Sequence, residues 1–128
     1  MAGFTVVNLM DVEDRIAGRV PGLEGRFART ELDSRDLGVS YFRYAPGLRS
    51  GSGHRHKEQE EVYVVIAGSG RMLLDGAVHE ITQWDLVRVA PEVMRAFEAG
   101  PDGLELLIVG GPKPEGGDGV MAEVDWPD

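Results

Sequence analysis

Apolar residues occur along the chain in short runs that glycine, proline and aspartate separate, and most runs are too short for helices. Segments rich in β-branched and aromatic residues favour strands, whereas glycine-containing dipeptides favour turns. The clearest run is 39–45, V-S-Y-F-R-Y-A, which Pro46-Gly47 ends. The pattern predicts an all-β protein with strands at 4–9, 26–30, 39–45, 61–67, 71–74, 77–81, 86–90, 94–99 and 104–109.

The spacing of these strands and of the turns between them indicates a β-sandwich or a small β-barrel. A barrel of this size has a mouth or interior that suits one small ligand. The segment 11–16 is predicted to form only one helical turn, which Asp11 would cap.

The strand at 61–67, E-V-Y-V-V-I-A, is apolar on both of its faces. Alternation places Tyr63 and Val65 on one face and Val62, Val64 and Ile66 on the other. Only one face of a barrel wall can point to the interior, so the second face is expected to pack against another sheet or subunit. The sequence therefore predicts a homodimer.

The length of 128 residues predicts one domain. Its core is expected at about 37–111, with N-terminal strands within 1–36. The segment 112–128 begins P-K-P-E-G-G-D-G and offers little to bury, which predicts an extended tail that is mobile or lies on the surface, with Trp126 as its one candidate anchor.

Charge and composition narrow the classes of partner. The chain has 22 acidic and 13 basic residues, a formal net charge of -9. Nucleic acids and anionic membrane surfaces are therefore excluded as expected partners. No apolar run approaches the ~20 residues that span a bilayer, so a cytoplasmic protein is expected. Cysteine is absent, and any metal must be held by nitrogen and oxygen.

Candidate chemistry is concentrated in one stretch, G-H-R-H-K-E-Q-E-E-V-Y, which starts at Gly53. His54 and His56 are two residues apart, so in a strand their side chains share a face. A carboxylate just downstream would complete a metal-binding set with open positions. Alternation from His56 favours Glu60, but a bend in the polar run would favour Glu61 instead. No Ser/His/Asp triad or phosphate-binding glycine loop is present.

Two segments resemble the conserved motifs of the cupin superfamily. The first is His54-Arg55-His56, four residues, Glu61, six residues and Gly68; the second is 85–97, D-L-V-R-V-A-P-E-V-M-R-A-F. The resemblance implies a single-domain jelly-roll β-barrel, the double-stranded β-helix of that superfamily. It also implies His54, His56 and Glu61 as ligands of a divalent metal, with Zn, Mn, Fe and Ni all open.

The chain departs from the family pattern in its second motif. Arg95 stands where the family carries a fourth, histidine ligand, and Glu92 replaces a glycine after Pro91. Because a guanidinium stays protonated, Arg95 cannot act as a ligand. Either it lies beside a three-ligand metal and clamps an anionic substrate, or it pairs with Glu61 in a metal-free site.

The expected function is therefore binding of a divalent metal and of a small polar or anionic molecule. Dioxygenase, isomerase and decarboxylase chemistry remain open, and whether the chain is an enzyme is left undecided. The alternative is a metal-free ligand-binding or sensor module. Besides Arg95, the residues expected to contact the small molecule are Tyr63, Phe97 and Arg43.

Overall fold

The computed structural model describes residues 3–128 and confirms the all-β prediction. Eight strands form one hydrogen-bonded sheet that curls around a core, and a 3-10 helix at Leu9–Asp11 precedes them. The strands are β1 (Leu23–Phe27), β2 (Gly38–Tyr44), β3 (Ser52–His56), β4 (Glu61–Leu74), β5 (Ala77–Thr82), β6 (Leu86–Val89), β7 (Arg95–Gly110) and β8 (Gly119–Glu123).

All strand pairs are antiparallel, and β7 is the hub of the sheet. The order along one path is β1-β2-β7-β3-β8, while β4 pairs with β7 and also carries β5 and β6. The register of β4 with β7 runs from Glu61↔Gly110 to Leu74↔Arg95. Glu61 and Arg95 therefore lie at opposite ends of the β4–β7 ladder, and the curl of the sheet brings Arg95, which is also the Cα partner of His54, to 3.0 Å from Glu61.

The long strands β4 and β7 correct the predicted turns at 68–70 and 100–103. Instead of ending, each strand continues through irregular positions, with register shifts between Val65 and Ala67 and between Gly68 and Gly70. Gly68 has φ +75°, and a Cβ there would lie 2.0 Å from the Gly103 carbonyl oxygen. Glycine allows the backbones of the two paired strands to approach closely at this irregular position. The glycines that predicted turns are therefore bulge residues within the strands.

The core lies on the concave face of the sheet. Tyr63 and Leu106 are 0% exposed, and Phe97 is 4% exposed. Burying a side chain of this kind contributes about 1.5–3 kcal/mol to folding. Of the two apolar faces of the 61–67 strand, the one with Tyr63 and Val65 is the face that points to the interior.

The N-terminal predictions are corrected. No strand forms at 4–9, where Phe4 is 76% and Val6 is 88% exposed. The predicted helical turn at 11–16 is replaced by the 3-10 helix Leu9–Asp11, and the strand expected at 26–30 lies at Leu23–Phe27. Residues 1 and 2 of the predicted N-terminal region lie outside the described residues.

The predicted extended tail contains a strand. Residues Gly119–Glu123 form β8, which pairs with β3 from Ser52↔Glu123 to His56↔Gly119. The Trp126 indole Nε1 donates a hydrogen bond of 2.8 Å to the Ser50 carbonyl, so the expected anchor is present. In the described part of the chain, no helix has the length and apolar character to span a bilayer.

Candidate metal centre

Strand alternation and a tight turn bring the two histidines and one glutamate together. His54 and His56 project from the same face of β3, and Glu61 is the first residue of β4. Potential ligand atoms of the three residues all lie within 4.8 Å of one another. The Glu61 Oε1 atom is 3.4 Å from His56 Nε2 and 3.6 Å from His54 Nε2.

The turn between β3 and β4 decides which glutamate faces the histidines. Asp118 Oδ2 accepts hydrogen bonds from the backbone N–H groups of Lys57, Glu58 and Gln59, at 3.1, 2.7 and 2.8 Å. These three hydrogen bonds fold the turn around the Asp118 carboxylate. The alternation of side chains along β3 therefore does not continue through the turn into β4. Glu60 consequently points outward, where it pairs with Arg88 at 2.9 Å, and Glu61 points inward.

Asp118 also fixes the orientation of His56. Its Oδ1 atom is 2.9 Å from His56 Nδ1. Burial raises the pKa of Asp118, but the Glu58 N–H group, His56 and the Gln59 N–H group outweigh it and hold the pKa well below its usual range. The ionised carboxylate accepts from Nδ1–H, which turns Nε2 of the ring toward Glu61.

The Nε2 atom of His56 is buried and has no hydrogen-bond partner in residues 3–128. Facing it at 3.4 Å is the carboxylate oxygen of Glu61. A metal ion bound between the two atoms would satisfy the buried nitrogen, as would a proton on Nε2 donated to Glu61, and a buried polar atom left unpaired costs about 1–3 kcal/mol. The residues present thus fit a metal ion.

The separations of the donor atoms agree with this fit. Nitrogen and oxygen ligands bind zinc at about 2.0–2.2 Å, so in a tetrahedral set they lie roughly 3.3–3.6 Å apart. The His–Glu separations of 3.4 and 3.6 Å fall in this range. A set of two histidines and one carboxylate also suits iron and manganese.

Arg95 is locked in place behind the carboxylate. Its side chain is 0% exposed, and Nη1 donates to Glu61 Oε1 at 3.0 Å. Nη2 donates to the carbonyls of Ala90 and Pro91 at 2.8 and 3.1 Å, and Nε donates to Val93 at 3.1 Å. Most donors of the guanidinium are therefore used within the protein, which opposes the expectation that Arg95 clamps a substrate anion. Its pairing with Glu61 is present.

The charge of Glu61 is stabilised from several sides. Burial raises its pKa, but hydrogen bonds from His54 and Tyr63 and the charge of His56 outweigh burial and lower the pKa to about 2. The Tyr63 hydroxyl donates to Oε1 at 2.5 Å. Burial, together with the negative charge of Glu61, raises the pKa of Tyr63 well above its usual value, so this hydroxyl keeps its proton.

A cavity of ≈ 740 Å³ opens above these residues. His54, His56, Glu61 and Phe97 line it. Tyr63 is a core residue whose hydroxyl reaches the site from behind. Arg43 is exposed on β2 and is not among the lining residues, so the structure does not bring it to the cavity.

Sequence reasoning missed three residues around this centre. Asp118 lies in the segment expected to be an extended tail, Arg29 lines the cavity from beyond β1, and Gln59 is 9% exposed beneath the turn. Asp118 is 62 positions from His56. No local spacing in the sequence links these three residues to the two histidines. The one available sequence signal was Asp118 itself, a single aspartate among glycines.

Comparisons with known proteins agree with this architecture. No family model and no curated protein sequence matches the chain. Among solved structures, a cupin protein from Bacteroides fragilis is similar with a TM-score of 0.73 and 21% identity, over 89% of this chain and 88% of that one. The polyketide cyclase RemF from Streptomyces resistomycificus gives 0.73 and 21%, over 97% and 87%.

An oxalate decarboxylase from Lactobacillus farciminis is similar with a TM-score of 0.70 and 26% identity. The match covers 84% of this chain and 34% of the decarboxylase chain. The neighbours share the jelly-roll architecture that the two sequence motifs implied. The chain therefore has the fold of the cupin superfamily, and the resemblance carried by the His54–Gly68 motif is confirmed at the level of the fold.

Proposed function

We propose that the chain binds one divalent metal ion through His54, His56 and Glu61, and that a small molecule enters the cavity above it. The observation that carries the proposal is the buried Nε2 atom of His56. It has no hydrogen-bond partner in the described chain, Asp118 holds its ring from behind, and Glu61 Oε1 faces it at 3.4 Å.

The metal, Zn, Mn, Fe or Ni, would supply Lewis-acid or oxygen-activating chemistry to a molecule bound in the cavity. The chain's own residues prepare this site. Tyr63 and Arg95 hold the Glu61 carboxylate in one orientation, while Asp118 holds His56. Dioxygenase, isomerase and decarboxylase reactions are each compatible with three protein ligands, and a decarboxylase is among the structural neighbours.

Metal content tests the proposal directly. Protein purified without an affinity tag should contain close to one equivalent of a divalent metal by elemental analysis, or regain it when Zn, Mn, Fe or Ni is added. His56→Ala should lose it. His79→Ala is the matched control, because His79 is an exposed histidine on β5. Less than about a tenth of an equivalent after all four additions would contradict the proposal.

The hydrogen bond of 3.0 Å between Arg95 and Glu61 favours a second candidate, a metal-free binding module. In that candidate, Arg95 supplies the positive charge that the carboxylate requires. The two candidates differ in their response to chelators. Removing metal should lower the stability of a metal protein by mass action and leave the metal-free module unchanged, which a thermal melt with and without chelator distinguishes.

We further propose that the chain acts as one domain and forms a homodimer. The convex face of the sheet carries Val62, Val64 and Leu107, which are only half-buried. Next to them, Leu86 is 69% exposed. An apolar sheet face of this kind indicates a partner, and a second copy presents the same face.

A further inference from the structure

The cavity lining differs in charge from the rest of the molecule. Arg15, Arg29, Arg95 and Lys113 line it, and Glu61 is its single acidic residue. The whole chain has a formal net charge of -9. Because Arg95 pairs with Glu61 at 3.0 Å, the remaining lining residues leave the cavity positively charged. An acidic protein with a cationic cavity selects for an anion there.

Arg29 is the best placed of these cations. Its Nη2 atom donates to the Gly111 carbonyl at 2.9 Å, and Gln59 Nε2 donates to the same oxygen at 3.1 Å. Gly111 follows Gly110, the Cα partner of Glu61. The guanidinium is therefore anchored at the end of the cavity that holds the candidate metal ligands.

The Arg29 guanidinium also has a shaped seat. It lies against Gly38, where a Cβ would come within 2.5 Å of Nη2. In residues 3–128, no carboxylate oxygen lies within 4.0 Å of the charged nitrogens of Arg29 or Lys113, whereas Arg15 approaches Glu31 at 3.9 Å. A fixed guanidinium that still has unused donors is suited to bind a carboxylate.

One wall of the cavity is aromatic. The Phe27 and Phe42 ring centroids are 5.4 Å apart, those of Phe42 and Tyr44 are 6.4 Å apart, and those of Tyr44 and Phe97 are 5.8 Å apart. All four side chains line the cavity. Tyr63 continues the series from Phe97 at 5.1 Å, and its hydroxyl reaches Glu61.

From these observations we infer that the cavity binds an aromatic carboxylate, whose charged group pairs with Arg29 and Lys113 and whose ring lies along the Phe27–Phe97 wall. The ≈ 740 Å³ cavity is in the usual range for small organic ligands. This inference rests on the proposal that the cavity admits a small molecule. It assigns the anion to Arg29, which the sequence did not single out, and not to Arg95.

Three probes test the inference by calorimetry. We chose 2-naphthoate, which is charged and aromatic; 2-naphthamide, which is neutral and aromatic; and gluconate, which is charged and polar. We expect 2-naphthoate to bind at least about tenfold more tightly than either of the others. Equal affinity for 2-naphthoate and 2-naphthamide, or for 2-naphthoate and gluconate, would overturn the inference.

Two variants locate the carboxylate. Arg29→Gln should weaken 2-naphthoate binding at least about tenfold and change 2-naphthamide binding less than about twofold. Lys113→Gln should act in the same direction, and it keeps the test valid if Arg29→Gln does not fold, because Lys113 is exposed. Arg43→Gln is the matched control, since Arg43 lies outside the cavity on β2 and carries the same charge.

Metal content is measured in the same samples, and each titration is repeated on chelator-treated protein. A preference for 2-naphthoate that persists without metal and falls in Arg29→Gln supports the inference, even if the proposed metal site is wrong. Conversely, one equivalent of metal with a preference that disappears on metal removal and is unaffected by Arg29→Gln overturns the inference and leaves the metal proposal intact.

Discussion

The imidazole of His56 is held by one carboxylate and faces another. Asp118 lies 2.9 Å from Nδ1, and Glu61 lies 3.4 Å from Nε2. Carboxylates behind a ligating histidine set its tautomer and increase its basicity. Asp118 additionally binds three backbone N–H groups of the turn that leads to Glu61. One side chain therefore positions two of the three proposed ligands.

Removal of this carboxylate should weaken metal binding. We expect Asp118→Ala to lower metal affinity about 10- to 100-fold, because such partners of metal-ligating histidines contribute effects of this size. Competition with a chromophoric chelator measures the change. Asp125→Ala is the control, since Asp125 is an exposed aspartate of the same segment. Equal affinities for the two variants would contradict the role of Asp118.

The pair of Arg95 and Glu61 should be energetically coupled. In metal-free protein, Arg95→Met removes the guanidinium that pairs with the buried Glu61 carboxylate and should lower the free energy of unfolding by up to about 3–5 kcal/mol. The double variant Arg95→Met/Glu61→Gln should regain much of the lost free energy of unfolding, because it has no carboxylate charge that needs a cationic partner. Urea unfolding of both variants measures the coupling.

The surface pair of Arg88 and Glu60 provides the comparison. Its nitrogen–oxygen distance of 2.9 Å is close to the 3.0 Å of the buried pair, but its side chains are 64% and 57% exposed. Arg88→Met should therefore cost no more than about 1 kcal/mol. A similar cost for Arg88→Met and Arg95→Met would show that burial does not govern the strength of the Arg95 interaction.

Sequence spacing was sufficient to place the two proposed ligands that share a strand on one face. His54 and His56 follow from strand alternation, whereas the choice of Glu61 over Glu60 depends on a turn that a residue 57 positions beyond Glu61 organises. Arg29 lines the cavity and is held by one hydrogen bond to a carbonyl 82 positions away. Contacts at such separations come from the tertiary fold, and local patterns do not contain them.

At the scale of elements, the same glycines explain why strand ends were predicted incorrectly. Gly68 and Gly70 signalled a turn, yet β4 passes through both, because β7 crosses close enough that neither position has room for a side chain. Glycine marks a close backbone approach as readily as a turn. Sequence alone does not separate these two uses.

Gly68→Ala tests this explanation. A methyl group would lie 2.0 Å from the Gly103 carbonyl oxygen, and φ is +75°. Gly76 has φ +84° but nothing within 4 Å of its added Cβ. Gly76→Ala should therefore cost about 1–2 kcal/mol from the backbone conformation alone, and Gly68→Ala should cost clearly more. Urea unfolding of the two variants gives the comparison, and equal costs would exclude a role for the strand crossing.

The end of the segment 118–128 is fastened by ion pairs. Asp128 lies 3.0 Å from both Arg49 and Arg71, and Glu98 binds the same two arginines from the other side. Both guanidinium groups contact the Trp126 ring, with Arg49 at 4.8 Å from its centroid and Arg71 at 5.6 Å. The strand that carries Asp118 to the metal centre is thus held at both ends.

This fastening should weaken in acid. Burial raises the pKa of Glu98, but hydrogen bonds from Arg49 and Arg71 outweigh it and place the pKa below the ordinary 4.5. A depressed pKa contributes stability that is present above pH 4.5 and is lost as the pH falls through the lower, folded-state value. In a Trp84→Phe background, Trp126 fluorescence should therefore change below about pH 4.5.

The acid transition has a direct control. Glu98→Gln cannot titrate, so the Trp126 signal should lose that pH dependence, whereas Glu80→Gln, at an exposed position of β5, should keep it. An unchanged transition in Glu98→Gln would assign it to other carboxylates.

At the scale of the molecule, the two faces of the sheet differ. The cavity side of the sheet carries cations within an acidic protein, and the convex side carries apolar residues. The apolar pattern of the 61–67 strand predicted that both of its faces are packed. In the structure, only the concave face is fully buried within the chain. Val62 and Val64, on the convex face, are only half-buried.

The proposed dimer makes this face its interface. Val64 is the Cα partner of both Leu86 and Leu107, so the three side chains form a continuous patch across β6, β4 and β7. A stable interface buries roughly 800 Å² per partner, and in a two-fold dimer each substitution in the patch occurs twice. Leu86→Lys should therefore convert a dimer to a monomer, because it places two charges in an apolar contact.

Sedimentation velocity measures this change directly. The unmodified chain should sediment with twice the mass of one chain, and Leu86→Lys with the mass of one, while the cavity and its metal content stay unchanged because Leu86 lies on the opposite face. Thr82→Lys adds the same charge at an exposed position of β5 outside the patch and should remain dimeric. A monomeric unmodified chain, or a dimer that Leu86→Lys leaves intact, would show that this face is not the interface between copies.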